Sequence, residues 1–211
     1  MIFGSKYADV LKLVAAINRT QAKWRVLGFI DDRPEAQETY VYGVPILGTR
    51  GELQRLSDNG TVFFNNVTGS LAGAQHVAEL LASFGRPLPS LIHPDAEMDY
   101  VEVGPGCLLP HGCSLGSGVR IGKHLSARLR ALISHDVTLG DYVFVGPGAV
   151  IGGGAAVEDG AFIGAGATVM SGCRVGARSV VGAGALVNTD VPNDVTVMGV
   201  PARVVKPMGR V

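Results

Sequence analysis

Five histidines are the side chains best suited to proton transfer near neutral pH, because an unperturbed imidazole titrates there. One of them, His135, is followed directly by a carboxylate, Asp136. A neighbouring carboxylate can orient an imidazole and raise its basicity. The pair favours His135 as a general base with Asp136 as its orienting partner. An exposed polar side chain is the alternative for each of the five, which are His76, His93, His111, His124 and His135.

Zinc chemistry is the second possibility that these histidines raise. A zinc hydratase would need three metal-binding histidines, two of them close in sequence. His111, His124 and His135 are separated by 13 and 11 residues and include no H-x4-H pair. The spacing disfavours such a site, and the sequence predicts no metal ligands.

A six-residue repeat must position His135. Starting at Val103, every sixth residue through Val187 is Leu, Ile or Val in fourteen of fifteen hexads. Nine hexads carry Gly at the second position, where it is expected to permit backbone conformations that are costly for other residues. A period of six fits neither a helix nor simple alternation, but it suits a short strand and a corner. Residues 103–192 therefore predict a parallel β-helix of five three-edged coils.

Composition excludes several classes of protein. The 211 residues contain 18 basic and 18 acidic side chains, so the chain lacks the positive charge that nucleic acid or an anionic membrane would require. A hydrophobic content of 47% argues against disorder, and neither a membrane-spanning run nor a signal peptide is evident. The three cysteines all occupy the fifth hexad position, so we expect small interior side chains and a cytoplasmic location. They are Cys107, Cys113 and Cys173.

The first part of the chain alternates strands with helices, which predicts a small α/β domain with a parallel sheet over residues 1–85. Strands are expected at 1–3, 25–30, 41–47 and 61–65, and helices at 8–18, 49–58 and 71–85. A junction over 86–102, the β-helix over 103–192 and a C-terminal extension over 193–211 complete the predicted organisation.

Loops at the carboxyl ends of such strands are the usual place for a ligand. Gly4 to Tyr7 and the pair Asp31 and Asp32 follow two of the predicted strands. Paired carboxylates there can accept hydrogen bonds from ribose hydroxyls or from a base N–H. The alternative is that Asp31 and Asp32 belong to a solvated turn.

Four segments resemble one family across nearly the whole chain: F-I-D-D after the second strand, L-I-H-P at the junction, I-S-H-D-V-T-L-G-D-Y-V-F-V-G-P-G on the repeats and G-V-P-A-R near the end. This combination is similar to the hexapeptide-repeat sugar acyltransferases, which include UDP-4-amino-sugar N-acetyltransferases and sialic-acid O-acetyltransferases. The resemblance implies a Rossmann-like α/β N-terminal domain, a left-handed parallel β-helix, acetyl-CoA as co-substrate and a homotrimer.

Several roles follow from this resemblance residue by residue. His135 matches the proton-accepting histidine of the family. Gly153, eighteen residues further on, matches a donor to the oxyanion or thioester, although a tight corner alone would also require glycine. CoA is implied to contact the backbone of Ala165 and Ala183, while Arg203 and Lys206 either meet its phosphates or are ordinary tail charges.

The chain departs from the family mainly on the acceptor side. Gly4-Ser5-Lys6-Tyr7 replaces the usual Gly-x-[GS]-Gly-His turn, with Tyr in place of His. Ser134 replaces a frequent Glu, and Phe144 replaces a frequent His near CoA. Phe64 and Arg128 stand where Gly and Asn are common. The expected substrate-binding set is Ser5, Lys6, Tyr7, Asp31, Asp32, Phe64 and Arg128, and the expected CoA-binding set is Phe144, Gly153, Ala165, Ala183 and Arg203.

The sequence therefore predicts an acetyl-CoA-dependent acetyltransferase that acts on an amino or hydroxyl group of a sugar, which we expect to be nucleotide-linked. The acceptor would attack the thioester directly. Two alternatives stay open: an acyltransferase for a non-sugar acceptor, and a non-catalytic trimeric binding protein with an altered acceptor pocket.

Overall fold

The computed structural model describes residues 1–33, 40–57, 60–67, 70–85 and 88–207, with residues 206 and 207 described by their backbone alone. The chain divides into two compact units, Met1–Pro89 and Ser90–Val211. The finer boundaries expected at residues 86, 103 and 193 stay predictions. No helix among the described residues is long and apolar enough to cross a membrane.

The first unit is a small α/β structure. Its three-stranded parallel sheet has the order β2-β1-β5, and its elements are β1 Ile2–Phe3, α1 Asp9–Thr20, β2 Phe29–Ile30, β3 Tyr40–Val41, β4 Val44–Pro45, a 3-10 turn Arg50–Glu52, α2 Leu53–Leu56, β5 Phe64–Asn65 and α3 Leu71–Ala82. Helix α1 buries Val10, Leu13 and Val14 on one face, as its apolar spacing predicts. The Ser70 hydroxyl caps α3 by accepting from the Gly73 N–H.

The strands of this unit are shorter than the sequence predicts. Only Phe29–Ile30 of the expected strand over 25–30 is paired, and only Phe64–Asn65 of the one over 61–65. The single strand expected over 41–47 is wrong: β3 and β4 form an antiparallel hairpin. Tyr42 and Gly43 at its tip both have positive φ angles, which is the geometry of a two-residue turn that joins twisted strands.

The second unit is a left-handed β-helix whose strands are two residues long except for the last two, which confirms the predicted fold class. The strands are β6 Leu91–Ile92, β7 Glu102–Val103, β8 Leu108–Leu109, β9 Ser114–Leu115, β10 Arg120–Ile121, β11 Ser126–Ala127, β12 Leu132–Ile133, β13 Thr138–Leu139, β14 Phe144–Val145, β15 Val150–Ile151, β16 Ala156–Val157, β17 Phe162–Ile163, β18 Thr168–Val169, β19 Arg174–Val175, β20 Val180–Val181, β21 Leu186–Val187, β22 Val195–Met198 and β23 Arg203–Pro207. They form three sheets, one for each face of the prism.

Residues eighteen apart stack directly on one another, as in the pairing of Leu132 with Val150 and of Ile133 with Ile151. The first and fifth hexad positions point inward, so that nearly all of them are buried. Burial raises the pKa of Cys107 and of Cys113 to about 11. All three cysteines are free, and these two serve as small interior side chains.

The glycine at the second hexad position has a different purpose from the one we expected. A Cβ on Gly152 would lie 2.5 Å from the backbone nitrogen of Ser171 in the next coil. The same close approach recurs at Gly164, where a Cβ would lie 2.5 Å from the nitrogen of Ala183. Glycine is therefore needed there for coil stacking, whereas the positive φ angles occur at the fourth position, for example at Gly154.

Candidate active site

Each coil turns at three corners, which we name by their residues. The histidine corner comprises residues 116–118, 134–136 and 152–154, and the alanine corner comprises 128–130, 146–148, 164–166 and 182–184. The aspartate corner comprises 122–124, 140–142 and 158–160. Each corner follows the strands of one sheet, so residues of one corner form a column along the prism.

His135 lies at the histidine corner directly after β12. Its carbonyl accepts from the N–H of Gly154 in the next coil at 2.9 Å, and the Asp136 N–H donates to the Ser117 carbonyl at 2.9 Å. Asp136 has a φ of 57°, a left-handed conformation that aspartate tolerates better than most residues. The backbone of the pair is thus held from the coils on both sides.

The side chains of the pair meet as the sequence predicts. His135 Nδ1 lies 2.9 Å from Asp136 Oδ2. A carboxylate can only accept hydrogen bonds, so this contact favours the tautomer of the neutral imidazole in which Nδ1 carries the proton and Nε2 has the lone pair. The two side chains are 68% and 73% exposed, respectively, so a substrate amine or hydroxyl can reach Nε2.

Gly153 lies against this imidazole from the next coil. A Cβ at Gly153 would lie 2.5 Å from His135 Nε2, so any side chain there would displace the ring. Among the described residues, no acceptor pairs with the Gly153 N–H. The aspartate corner is different, because the N–H of Lys123 and that of Asp141 each donate to an aspartate of the following coil. The histidine corner therefore combines a base with an available backbone donor.

The other predicted CoA contacts belong to the alanine corner. The N–H groups of Ala165 and Ala183 also have no acceptor among the described residues. Phe144, on the strand that leads into this corner, stacks on Phe162 with a centroid distance of 4.4 Å. The Arg128 guanidinium lies 5.5 Å from the centroid of the Phe144 ring. Arg128 and Phe144, predicted for different substrates, are thus neighbours on one face.

Within one chain the predicted donor-side residues divide between two corners. His135 and Gly153 lie at the histidine corner, and Ala165 and Ala183 lie at the alanine corner. Arg203 is exposed on β23, and its Nη1 donates to the Ala202 carbonyl. The side chain of Lys206 lies outside the described part of the chain.

The three histidines weighed as a zinc set do not meet. His111 extends from the alanine-corner column and His124 lies at the aspartate corner, where its ring stacks on Tyr142. Burial lowers the pKa of His124. Since His135 occupies the third corner, these three residues do not form a metal site within one chain.

In the first unit, Ser5 and Asp31 meet at the carboxyl ends of β1 and β2. Asp31 is 4% exposed and accepts from the backbone and hydroxyl of Ser5, both at 2.7 Å. Arg33 Nη2 donates to the same carboxylate at 2.7 Å. Burial by itself raises the pKa of Asp31, but the hydrogen bonds from Arg33 and Ser5 outweigh it and hold that pKa well below its usual range.

The remaining predicted acceptor residues are less enclosed. Asp32 accepts from the backbone and the Nε of Arg50, both at 2.7 Å. The Lys6 ammonium lies 5.7 Å from the centroid of the Tyr7 ring. The carboxylates of Asp31 and Asp32 are therefore each paired with an arginine. A ligand would meet two ion pairs here rather than two free acceptors.

Phe64 does not join this group. Its buried ring makes an edge contact with Trp24 at 5.3 Å. Together with Met1 and Trp24 it lines a cavity of about 320 Å³. Phe64 begins β5, so its side chain serves the interior of the unit, and its expected ligand contact stays a prediction.

Asn66 is a polar residue that the sequence reasoning missed. It is 2% exposed, and its Nδ2 donates to the carbonyls of Gly4 and Tyr7 at 3.0 and 2.9 Å. It therefore fixes the turn that follows β1. The sequence feature that could have indicated this role is the position of Asn66, because two asparagines directly follow the apolar run at the third parallel strand.

Comparison with known proteins agrees with this fold. Residues 154–189 match the family described as bacterial transferase hexapeptide (six repeats). Over these repeats and in its fold the chain is therefore similar to the hexapeptide-repeat transferases, the family that its sequence resembles.

Particular relatives are sugar N-acetyltransferases. GDP-perosamine N-acetyltransferase of Escherichia coli O157:H7 is 31% identical over 98 residues, which is 46% of this chain and 44% of that relative's length. A histidine-to-alanine variant of GDP-perosamine N-acetyltransferase from Caulobacter crescentus, in complex with CoA and GDP-perosamine, has a TM-score of 0.87 and 29% identity over 97% of this chain and 95% of the other.

The acetyltransferase domain of PglB from Neisseria gonorrhoeae FA1090, in complex with acetyl coenzyme A, also has a TM-score of 0.87 and 29% identity, over 97% of both chains. The predicted enzyme class, acyltransferase, is confirmed by these comparisons, and so is acetyl-CoA as the co-substrate of that class.

Proposed function

We propose that this protein transfers the acetyl group of acetyl-CoA to the amino group of a nucleotide-linked amino sugar. The observation that carries the proposal is the histidine corner, where His135 is oriented by Asp136 at 2.9 Å and lies against Gly153 with its available N–H. N-acetylation is chosen over O-acetylation because the two perosamine acetyltransferases compared above are N-acetyltransferases.

The reaction needs one base and one oxyanion donor. His135 Nε2 accepts the proton of the sugar amine as its nitrogen attacks the thioester carbonyl. The Gly153 N–H supports the negative charge that develops on the carbonyl oxygen. When the tetrahedral adduct collapses, the C–S bond breaks, the amide remains on the sugar, and the CoA thiolate takes the proton from the imidazolium.

CoA binding is the second part of the proposal. The uncapped N–H groups of Ala165 and Ala183, with the guanidinium of Arg203, supply donors to its amide and phosphate oxygens. These groups lie at a different corner from His135 within one chain. A homotrimer would place the alanine corner of one subunit beside the histidine corner of another, and we propose that the complete site forms in this way.

The acceptor's nucleotide is assigned to the first unit. The turn from Gly4 to Tyr7, held by Asn66, and the ion pairs of Asp31 and Asp32 form an ordered polar edge at the carboxyl ends of the strands. Such an edge suits ribose and base hydrogen bonds. A cytoplasmic location completes the proposal, consistent with three free cysteines.

The test is thiol release from acetyl-CoA with a panel of acceptors: GDP-perosamine, UDP-4-amino sugars, free amino sugars and amino acids. We expect turnover with at least one nucleotide-linked amino sugar and an acetamide in the product by mass spectrometry. His135→Ala should reduce kcat by roughly 10²–10⁴-fold while the affinity for CoA, measured by calorimetry, stays unchanged.

Three other results of these assays would contradict the proposal, and each would favour a different function or a different base. Turnover with only free sugars or amino acids would replace the nucleotide-linked acceptor. Normal turnover in His135→Ala would assign the base to another residue, with His111 the next candidate. If nothing is acetylated and acetyl-CoA does not raise the melting temperature, the enzyme assignment is wrong and a trimeric binding protein remains.

A further inference from the structure

A second cluster of metal-ligating side chains lies at the N-terminal end of the β-helix. His93 follows β6 and His111 follows β8, one coil further along the column of the alanine corner. Asp95 lies between them: its Oδ2 is 3.6 Å from His93 Nδ1 and 3.9 Å from His111 Nδ1. One ligand atom from each residue lies within 4.8 Å of those of the other two.

The chemistry of this set is specific. Two imidazoles and one carboxylate are the nitrogen and oxygen donors that Zn²⁺ and related transition metals prefer, and a three-ligand set leaves the fourth position to water. The cluster shares no residue with the histidine corner of the proposed function. A salt bridge alone would explain one contact between a histidine and an aspartate. Here a single oxygen, Asp95 Oδ2, is close to the imidazoles of both His93 and His111.

The backbone holds one of the ligands, His93, in place. The His93 N–H donates to the Leu109 carbonyl at 2.8 Å, and the His93 carbonyl accepts from Ala96 at 3.0 Å. The His93 side chain is 12% exposed, whereas those of Asp95 and His111 are 74% and 68% exposed. The Asp95 N–H contacts His93 Nδ1 only at 3.3 Å, which is long for a hydrogen bond and easily given up to a metal. One rigid ligand and two adjustable ones can close around an ion.

From this geometry we propose that His93, Asp95 and His111 bind a divalent transition-metal ion of the zinc class. The ion joins residues 93–95 to the corner of the following coil, across the pairing of β6 with β8. Terminal repeats of a solenoid lack a neighbour on one side and need an additional stabilising feature. The metal supplies it, and it takes no part in acetyl transfer.

The experiment uses the full chain, freed of metal by chelation, and Zn²⁺ as the probe. Calorimetry should give one Zn²⁺ per chain. At a hundredfold excess over Kd the melting temperature should rise by roughly 5–10 °C, and exchange of the Leu91 and His93 amide hydrogens should slow. Co²⁺ substituted at the site should give a visible absorption band that Zn²⁺ abolishes.

His111→Asn removes one exposed ligand without disturbing the interior. It should weaken Zn²⁺ binding by roughly a hundredfold or more, since loss of an outer partner alone costs 10–100-fold. His135→Asn is the matched control, because His135 is equally exposed and also contacts an aspartate but has no third ligand. Binding in this variant should match the parent protein. Equal Zn²⁺ affinity in His111→Asn and the parent, or no binding by the parent, would overturn the proposal.

Discussion

The proposed base and its neighbour Gly153 illustrate how tightly single residues are constrained at the histidine corner. The imidazole of His135 occupies the space that a Cβ of Gly153 would need. The φ angle of Gly153 is not in the left-handed region, so its backbone would accept alanine. Substitution there therefore acts on the ring rather than on the fold.

We expect Gly153→Ala to reduce kcat by roughly a hundredfold, because displacement of a reacting group by about 1 Å costs that much. The melting temperature should change little. The double variant with His135→Ala should be no slower than His135→Ala alone, as required if Gly153 acts through the imidazole. Additive losses in this cycle would instead mean that Gly153 acts on the acetyl group alone.

Asp31 controls the stability of the first unit in a pH-dependent way. The pKa of this carboxyl is depressed in the folded protein, so its ionised form stabilises the fold above the unfolded pKa of about 4 and this contribution is lost as the pH falls below it. At pH 7, Asp31→Asn should destabilise the unit by roughly 2 kcal/mol.

The measurement is chemical unfolding of both proteins at several pH values, followed by the fluorescence of Trp24. The difference between Asp31→Asn and the parent should shrink as the pH falls from 5 to 3. A difference that stays constant over this interval would show that ionisation of Asp31 does not stabilise the unit.

At the scale of elements, the close stacking of coils limits the side chains that the second hexad position can hold. We expect Gly164→Ala to destabilise the β-helix by roughly 1–3 kcal/mol, because the added Cβ would meet the backbone nitrogen of Ala183 at 2.5 Å. Met170→Ala is the control, since Met170 holds the same hexad position in the next edge and is 47% exposed. Unfolding in urea should separate the two variants; equal midpoints would contradict the stacking argument.

The β-helix could be predicted from the sequence because its constraint is periodic. Each interior aliphatic must recur every six residues, and Ile133 above Ile151 is the outcome. The left hand came only from the resemblance, since ordinary parallel crossovers are right-handed. The first unit was harder, because it has no repeat and the pairing at Phe29 and Phe64 depends on contacts distant in sequence.

The candidate site was predictable in part for a similar reason. Asp136 follows His135 directly, so their contact is local, and Gly153 follows from the eighteen-residue coil. Asn66 could not be predicted because its role depends on a turn about sixty residues earlier. The hydrogen bonds from Ser5 to Asp31 are likewise a tertiary effect, because 26 residues separate the two, whereas the contact with Arg33 is local.

At the scale of the whole molecule, the division of the donor site between two corners leads to a test of assembly. We expect the protein to be a homotrimer by native mass spectrometry. His135→Ala and Ala183→Trp should each be inactive, the first for lack of a base and the second for lack of space for CoA. Co-expression of the two variants should restore activity, because some mixed trimers contain one interface with both residues intact.

Two outcomes would contradict a shared site. A monomeric protein with full activity would exclude it directly. Mixed trimers that remain inactive, while each variant still folds and assembles, would place base and CoA donors within one chain.

The eighteen-residue stacking also governs how this chain can change length. A strand of one coil pairs with the strand eighteen residues away, and each coil advances the prism by about 4.8 Å. An insertion of eighteen residues would lengthen the molecule and keep every later side chain in its column. An insertion of six would preserve the buried pattern but turn everything after it by one face, so that His135 would exchange its corner for another. Folding therefore tolerates insertions in multiples of six residues, whereas the site tolerates only multiples of eighteen.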